Sequence, residues 1–194
     1  MKTQISTLLL SLIALVTTAQ NTWNIDASHT NVNFEVSHMV ISDVEGTFKT
    51  FDGTVISSES DFSDAKISFT VDVNSIDTDN EMRDNHLKSP DFFEASKYEK
   101  ITFTSTKFTK VKGENYLLEG DLTIKGITKK IQLDVVYNGT IKDPYGNTRA
   151  GFKLNGKINR FDYGLKWNAT LESGGLVVGE EVSIEANVEV VKAK

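Results

Sequence analysis

Apolar and polar residues alternate one for one along most of this chain. A period of two fits one regular structure, a strand that buries a single face. In Asn31–His38, Val32, Phe34 and Val36 stand against Asn33, Glu35 and Ser37. In Lys66–Val73 the apolar set is Ile67, Phe69, Val71 and Val73, and Ile101 and Phe103 then alternate with Thr102 and Thr104. Tyr116, Leu118, Leu122 and Ile124 share a parity with Gly120; Ile127, Ile131, Leu133 and Val135 continue it. Phe152, Leu154 and Ile158 follow, and Val182, Ile184, Ala186, Val188 and Val190 close the series. Turn-forming residues fall between these runs: Asp52-Gly53, Lys112–Asn115, Lys125-Gly126, Asn138-Gly139 and Asp143–Asn147. Asn-Gly between alternating runs signals a hairpin, because both residues tolerate positive φ. The spacing predicts an all-β chain of about eight antiparallel strands, an up-and-down meander closing as a barrel or a sandwich. Closure also removes the edges that invite aggregation.

One stretch breaks the pattern. Asn80–Phe103 packs charges, His86, Pro90 and several aromatic residues between two strand-like runs. Asn80–Leu87 has helical composition, and Pro90 ends the helix because the residue before proline avoids α geometry. Phe92 and Phe93 follow at once, so residues 80–93 read as a short helical insert. It is either a surface turn whose aromatic residues plug the nearest core or a lid over a barrel mouth.

The first 19 residues read as a secretory signal peptide. Lys2 supplies the positive start, Leu8–Val16 an apolar run too short to span a bilayer, and Thr17-Thr18-Ala19 the small residues of a cleavage site. Residues 20–194 then form one domain. The chain has no cysteine, which excludes disulfides, thiolate metal sites and a lipid-modified cysteine anchor. Its formal charge of −6 opposes nucleic acid and anionic lipid surfaces, and no basic cluster overrides it.

No catalytic constellation emerges. There is no G-x-S-x-G, H-E-x-x-H, Walker or G-x-G-x-x-G motif, and Gly174–Gly179 reads as a glycine-rich turn before the last strand. Glu180-Glu181 reads as surface solvation. His29, His38 and His86 lack metal-site spacing, so neither a metal nor a cofactor is expected. Asn138 and Asn168 match glycosylation sequons, the first doubling as a hairpin turn. The alternation alone does not say whether side chains or a ligand fill the interior.

The residues resemble the YceI-like family, periplasmic lipid-binding proteins with a lipocalin-like barrel. Trp23–Thr30 (WNIDASHT) is similar to the family's opening block, and His38 followed by Gly46-Thr47-Phe48 to its next. The most specific portion is Ser75–Thr78 with Arg83–Ser89 and Asp91-Phe92-Phe93; Gly120–Lys129 (GDLTIKGITK) and Arg160–Leu165 (RFDYGL) follow in order. Glu99 and Ala27 stand where the family often has Pro, and Tyr163 where it usually has Phe. The resemblance implies an eight-stranded antiparallel barrel, with the 80–93 insert covering it. The interior would hold a polyisoprenoid, an isoprenoid quinone, or a fatty amide or acid.

Joined to the alternation, the resemblance offers a set of ligand-contacting residues. The strands would supply Phe34, Val36, Phe48, Phe69, Val71, Ile76, Ile101, Phe103, Leu122, Ile124, Ile131, Leu133, Phe152 and Leu154. The insert would supply Met82, Leu87, Phe92 and Phe93. Arg83 and Asp84 are expected to tie the insert to neighbouring strands, Arg83 through Asp77 or Asp79. The function implied is a periplasmic, non-enzymatic carrier. The rival is a stress-related interaction protein that sequesters amphiphiles and works through its outer surface. A homodimer is left open. The leader predicts that the exported form begins at Gln20; intact mass of protein from its native host checks this, and a retained Met1 would contradict it.

Overall fold

A computed structural model of the chain describes residues 20–170 and 174–194; the expected signal peptide, residues 1–19, lies outside the described residues. The described residues are mostly strand, with one short α-helix. In order come β1 (Asn21–Ile25), β2 (Asn31–His38), β3 (Ser42–Phe48), β4 (Phe51–Ser57), β5 (Lys66–Asp72) and β6 (Ile76–Asp77), then helix α1 (Glu81–Lys88). After it run β7 (Lys100–Lys112), β8 (Asn115–Ile124), β9 (Ile127–Lys142), β10 (Thr148–Asn159) and β11 (Val178–Lys192). Every pairing is antiparallel, and the order β1-β4-β5-β7-β8-β9-β10-β11 returns to β1, so the sheet is a closed eight-stranded barrel.

The extra strand pieces come from three bends. β1 and β2, β3 and β4, and β5 and β6 are each one strand broken by a bend, the last close to its end, and the breaks lie side by side across the sheet. Lys49 N–H donates to the Ser75 carbonyl at 3.1 Å and Asp72 N–H to the Thr50 carbonyl at 2.9 Å, which stitches two of them together. Asp26 and Asp72 cap the short 3₁₀ turns by accepting the N–H groups of Ser28 and Asn74. Backbone groups freed by each bend thus keep partners, while the bends help the sheet curve round.

Two of the expected turns are not turns. Asp52-Gly53 lies inside β4, where the backbone runs straight on from the Lys49-Thr50 bend. A Cβ on Gly53 would come within 2.7 Å of Phe69 Cδ2, so this glycine serves a close approach. Asn138-Gly139 lies inside β9. There Gly139 faces Gly151 and Tyr137 faces Phe152, leaving Asn138 as an extra residue in a bulge. The positive φ of Gly139, 108°, is used for that bulge. The other three turns stand where expected. Lys125 and Gly126 both take positive φ, 50° and 75°, in the β8–β9 hairpin. Asp143 holds its turn by accepting the N–H groups of Tyr145 (2.9 Å) and Asn147 (2.8 Å).

A second bulge near Thr106 in β7 changes which parity faces inward. Ile101 and Phe103 point in before it, Phe108 after it. The register predicts opposite responses at adjacent sites. Phe103 is 8% exposed, so Phe103→Asp strands a carboxylate in the interior, while Thr104 is exposed. Thermal melts should show a large loss for Phe103→Asp and a change within about 0.5 kcal/mol for Thr104→Asp. Equal damage from both would contradict the single-walled barrel.

Candidate functional site

The inward positions of the strands enclose a cavity of about 250 Å³ that runs most of the length of the barrel. Among the described residues, its polar lining residues are Asn33 and Arg160. One end is sealed by aromatic side chains. Phe62, 1% exposed, enters from the β4–β5 loop and packs against Trp23 (5.0 Å between ring centroids), Phe152 (5.1 Å) and Tyr137 (5.6 Å). The loop that carries Phe62 is clipped in place by Tyr116, whose hydroxyl donates to the Asp61 carbonyl at 2.7 Å. Asp64 adds to this by accepting the Ser57 hydroxyl and the Ser58 N–H.

The other end is covered by α1 and the segment after it. Asn80 caps the helix, accepting the Arg83 N–H at 3.0 Å. Asp84 is buried and accepts both the N–H (3.0 Å) and the hydroxyl (2.6 Å) of Thr78. Arg83 donates from Nε to the Thr78 hydroxyl (2.7 Å) and from Nη2 to its carbonyl (2.6 Å). Arg83 therefore does tie the insert down, but through Thr78 and not through Asp77 or Asp79; Asp77 lies 3.5 Å from Lys49. Beyond the helix, Phe93 packs on Phe48 and Phe92 on His86 and Trp167. His86 meets Trp167 at 4.9 Å and lies 3.1 Å from Asp91. Rings from the insert and from the chain after β10 thus meet over the mouth.

Arg160 holds that second segment. It is 3% exposed and donates to the carbonyls of Gly179 (2.7 Å), Leu165, Trp167 (2.9 Å) and Val178 (3.0 Å). Burial pushes its guanidinium below its ordinary range, and the four carbonyls satisfy the donors that water would otherwise serve. Because those donors are spent on backbone, Arg160 acts as a strut for the covering loop. Tyr163 beside it is buried too, and its hydroxyl has no partner among the described residues. Desolvation pushes that hydroxyl up to about 12.

Of the expected contact residues, Phe34, Val36, Phe48, Phe69, Val71, Leu87, Phe92, Phe93, Ile101, Phe103, Leu122, Ile124, Ile131, Leu133, Phe152 and Leu154 all line the cavity. Two do not. Ile76 is buried against Phe48 and Val71, outside the cavity lining, because it follows the 3₁₀ turn Val73–Ser75 at the outer bend. Met82 is 83% exposed. The buried Asp84 sets the rotation of α1, and Met82 lies two residues away, about 200° round the helix, whereas Leu87 lies within about 60° of Asp84. The strand pattern already carried the inward parity of Leu118, Val135 and Val182–Val188, which also line the cavity. Phe62 and Phe108 were hidden, the one by its loop and the other by the bulge.

Among the described residues, Asp26, His29 and Glu189 bring ligand atoms close together at the outside of the barrel. Arg149 already occupies their midst. Its Nη1 reaches Asp26 and Glu189, and its Nε reaches Asp143 at 2.7 Å. That fixed positive charge holds the Asp26 carboxyl down to about 2 and pulls Asp143 lower still. The cluster is an ion-pair staple joining the first bend, the β9–β10 turn and the last strand.

A covered, apolar interior inside a closed eight-stranded antiparallel barrel defines a lipocalin-like fold. The chain belongs to the YceI-like family: the YceI-like domain model matches residues 23–190. A UPF0312 protein of Staphylococcus aureus strain N315 is 43% identical over 165 residues, covering 84% of this chain and 94% of the relative. The YceI protein of Campylobacter jejuni superposes with a TM-score of 0.69 at 34% identity, over 81% of this chain and 90% of that one. BcnA of Burkholderia cenocepacia shares the fold at 23% identity, with a TM-score of 0.74 over 85% of this chain and 98% of its own.

Glycines keep the lumen open. A Cβ on Gly46 would collide with the Phe34 ring, on Gly120 with the Phe103 ring, and on Gly156 with Leu133. Each large side chain lies back over a neighbouring glycine, against the wall. Gly120→Ala is therefore expected to force Phe103 off its rotamer and cost about 1–3 kcal/mol in urea unfolding. Gly151→Ala, whose nearest neighbour atom would be 3.6 Å away, should change stability by less than about 0.5 kcal/mol. Equal costs would show that the rings have room to move.

Proposed function

We propose that this chain is an exported periplasmic carrier that holds one long apolar molecule along the barrel axis: a polyisoprenoid, an isoprenoid quinone, or a fatty amide or acid. The observation that carries this reading is the covered cavity, about 250 Å³, walled almost wholly by hydrocarbon. At ~24 cal/mol per Å³, leaving it empty would cost the fold about 6 kcal/mol. That is comparable to the whole net stability of many domains, ~5–15 kcal/mol. An apolar occupant restores the lost contacts. At ~0.8 kcal/mol per buried methylene, one isoprene unit contributes roughly 4 kcal/mol before ordering costs. Two or three units then reach about micromolar affinity with no polar recognition.

Among the described residues Asn33 and Arg160 are the polar side chains of the wall, and Arg160 is spent on backbone carbonyls, which supports a ligand that is carried and not converted. A polyisoprenoid-binding domain from Saccharophagus degradans shares the fold at 17% identity, with a TM-score of 0.67 over 88% of this chain. The likeness in fold supports the reading without fixing the ligand. The proposed export rests on the leader sequence.

The test is organic extraction of protein purified from its native host, followed by mass spectrometry. About one long-chain apolar molecule per protein is expected. A lipid-free protein that also fails to take up cis-parinaric acid in a fluorescence titration would overturn the reading.

A further inference from the structure

The hairpin joining β2 to β3 breaks the rule that three other hairpins obey. The β7–β8, β8–β9 and β9–β10 turns use Gly113-Glu114, Lys125-Gly126 and Asp143–Asn147. Here the tip is Met39-Val40-Ile41, with Met39 at φ 54° and Val40 at φ 66°. A β-branched residue in the left-handed region is an outlier, and Asn or Gly would remove the strain. Val40 is 75% exposed and Ile41 86%, so neither strain nor exposure is offset by packing within the chain.

The tip stands at the covered end of the barrel and is continuous with the cavity wall. Val36 lines the cavity, as does Val178, which pairs with His38; Met39 N–H donates to the Val177 carbonyl at 2.8 Å. Next to it, the residues Gly179–Glu181 of β11 face only Ser37, a bulge in β11 beyond which the hairpin pairs again at His38 and Met39. Residues 31–48 contain no Lys or Arg, while Glu35, Asp43, Glu45 and Glu180 flank the hairpin, and Glu181 beside them is paired with Lys157. That charge rules against an anionic surface and suits an uncharged or zwitterionic one.

We propose that Met39-Val40-Ile41 is the tip by which the protein docks on a zwitterionic lipid surface, so that its ligand passes between bilayer and barrel without crossing water. The inference rests on the lipid-carrier reading. A long apolar ligand has almost no free concentration in water, so the mouth must meet an apolar phase to load or unload. Three aliphatic side chains give weak, reversible contact of the kind a carrier needs.

The cysteine-free chain permits a direct test. Ile41→Cys and Tyr145→Cys, each carrying an NBD fluorophore, are mixed with phosphatidylcholine vesicles. The Ile41 label should shift to the blue, while the label at Tyr145, in the turn at the sealed end, stays unchanged. Transfer of cis-parinaric acid from the wild-type protein to these vesicles should speed up in proportion to vesicle concentration. The Val40→Ser/Ile41→Ser variant should transfer about tenfold more slowly, with unchanged affinity for cis-parinaric acid in vesicle-free buffer. A silent Ile41 label with transfer independent of vesicle concentration overturns the docking tip and leaves the carrier reading intact. Failure of the wild-type protein to take up the probe sinks the carrier reading, while the Ile41 label still reports docking by itself. Faster transfer to phosphatidylglycerol vesicles, or a label shift that grows with protein concentration in the absence of vesicles, would also overturn it, pointing to charge or to a second copy of the chain.

Discussion

Strand β11 pairs along one side with β10, from Arg149↔Val191 to Asn159↔Glu181. Its other side takes both halves of the first bent strand, β1 at Val190–Lys192 and β2 from Asn187 back to Val178. This closure is what the rest of the structure depends on. It joins β1 to β11 and so leaves only the two-residue β6 with an unpaired side among the described strands, and it converts the buried face of a sheet into the wall of a lumen. It also explains the bends: one continuous first strand has to follow β11 and the third and fourth strand pieces at once. The Asp26–Arg149–Glu189 staple sits across that seam and fastens it from outside.

The two ends of the lumen are built by different physics. At the sealed end, Phe62 is locked among Trp23, Tyr137 and Phe152, and its loop is held by Tyr116 and Asp64. Nothing there suits passage. At the covered end, closure depends on the rings of His86, Phe92 and Trp167, which come from two separate segments. Each segment is fastened to its own side of the barrel, one by Asp84 and Arg83 on Thr78, the other by Arg160 on four carbonyls. Among the described residues the two meet through these rings, with no hydrogen bond or ion pair between them. A cover of that kind can part while both anchors stay made, which is the property expected of a mouth.

The period-two pattern made most of the fold legible, because each strand faces solvent on one side and hydrocarbon on the other. It identified the inward Phe34, Phe69, Ile101, Phe103, Leu133 and Phe152 directly. It failed where the backbone departs from strict alternation. Thr106 in β7 and Asn138 in β9 are inserted residues, so Phe108 changed parity unseen and Asn138-Gly139 looked like a hairpin. Local composition does not distinguish a bulge from a turn when both need positive φ. The orientation of α1 was hidden for another reason: a buried polar residue, Asp84, and not the apolar Met82, sets its inner face. The identity of the family came from ordered blocks such as Arg83–Ser89 and Gly120–Lys129, not from alternation, which any barrel shares.

The central claim is that the lumen between the Phe62 seal and the Phe92 cover is a ligand tunnel and not a poorly filled core. A crystal structure of protein purified from its native host, without delipidation, tests it most directly. The account predicts continuous, chain-like density along the barrel axis from near Leu87 to near Phe62, with the Phe34 and Phe103 rings lying back over Gly46 and Gly120. A lumen closed by those rings turned inward, with no density between them, would contradict it.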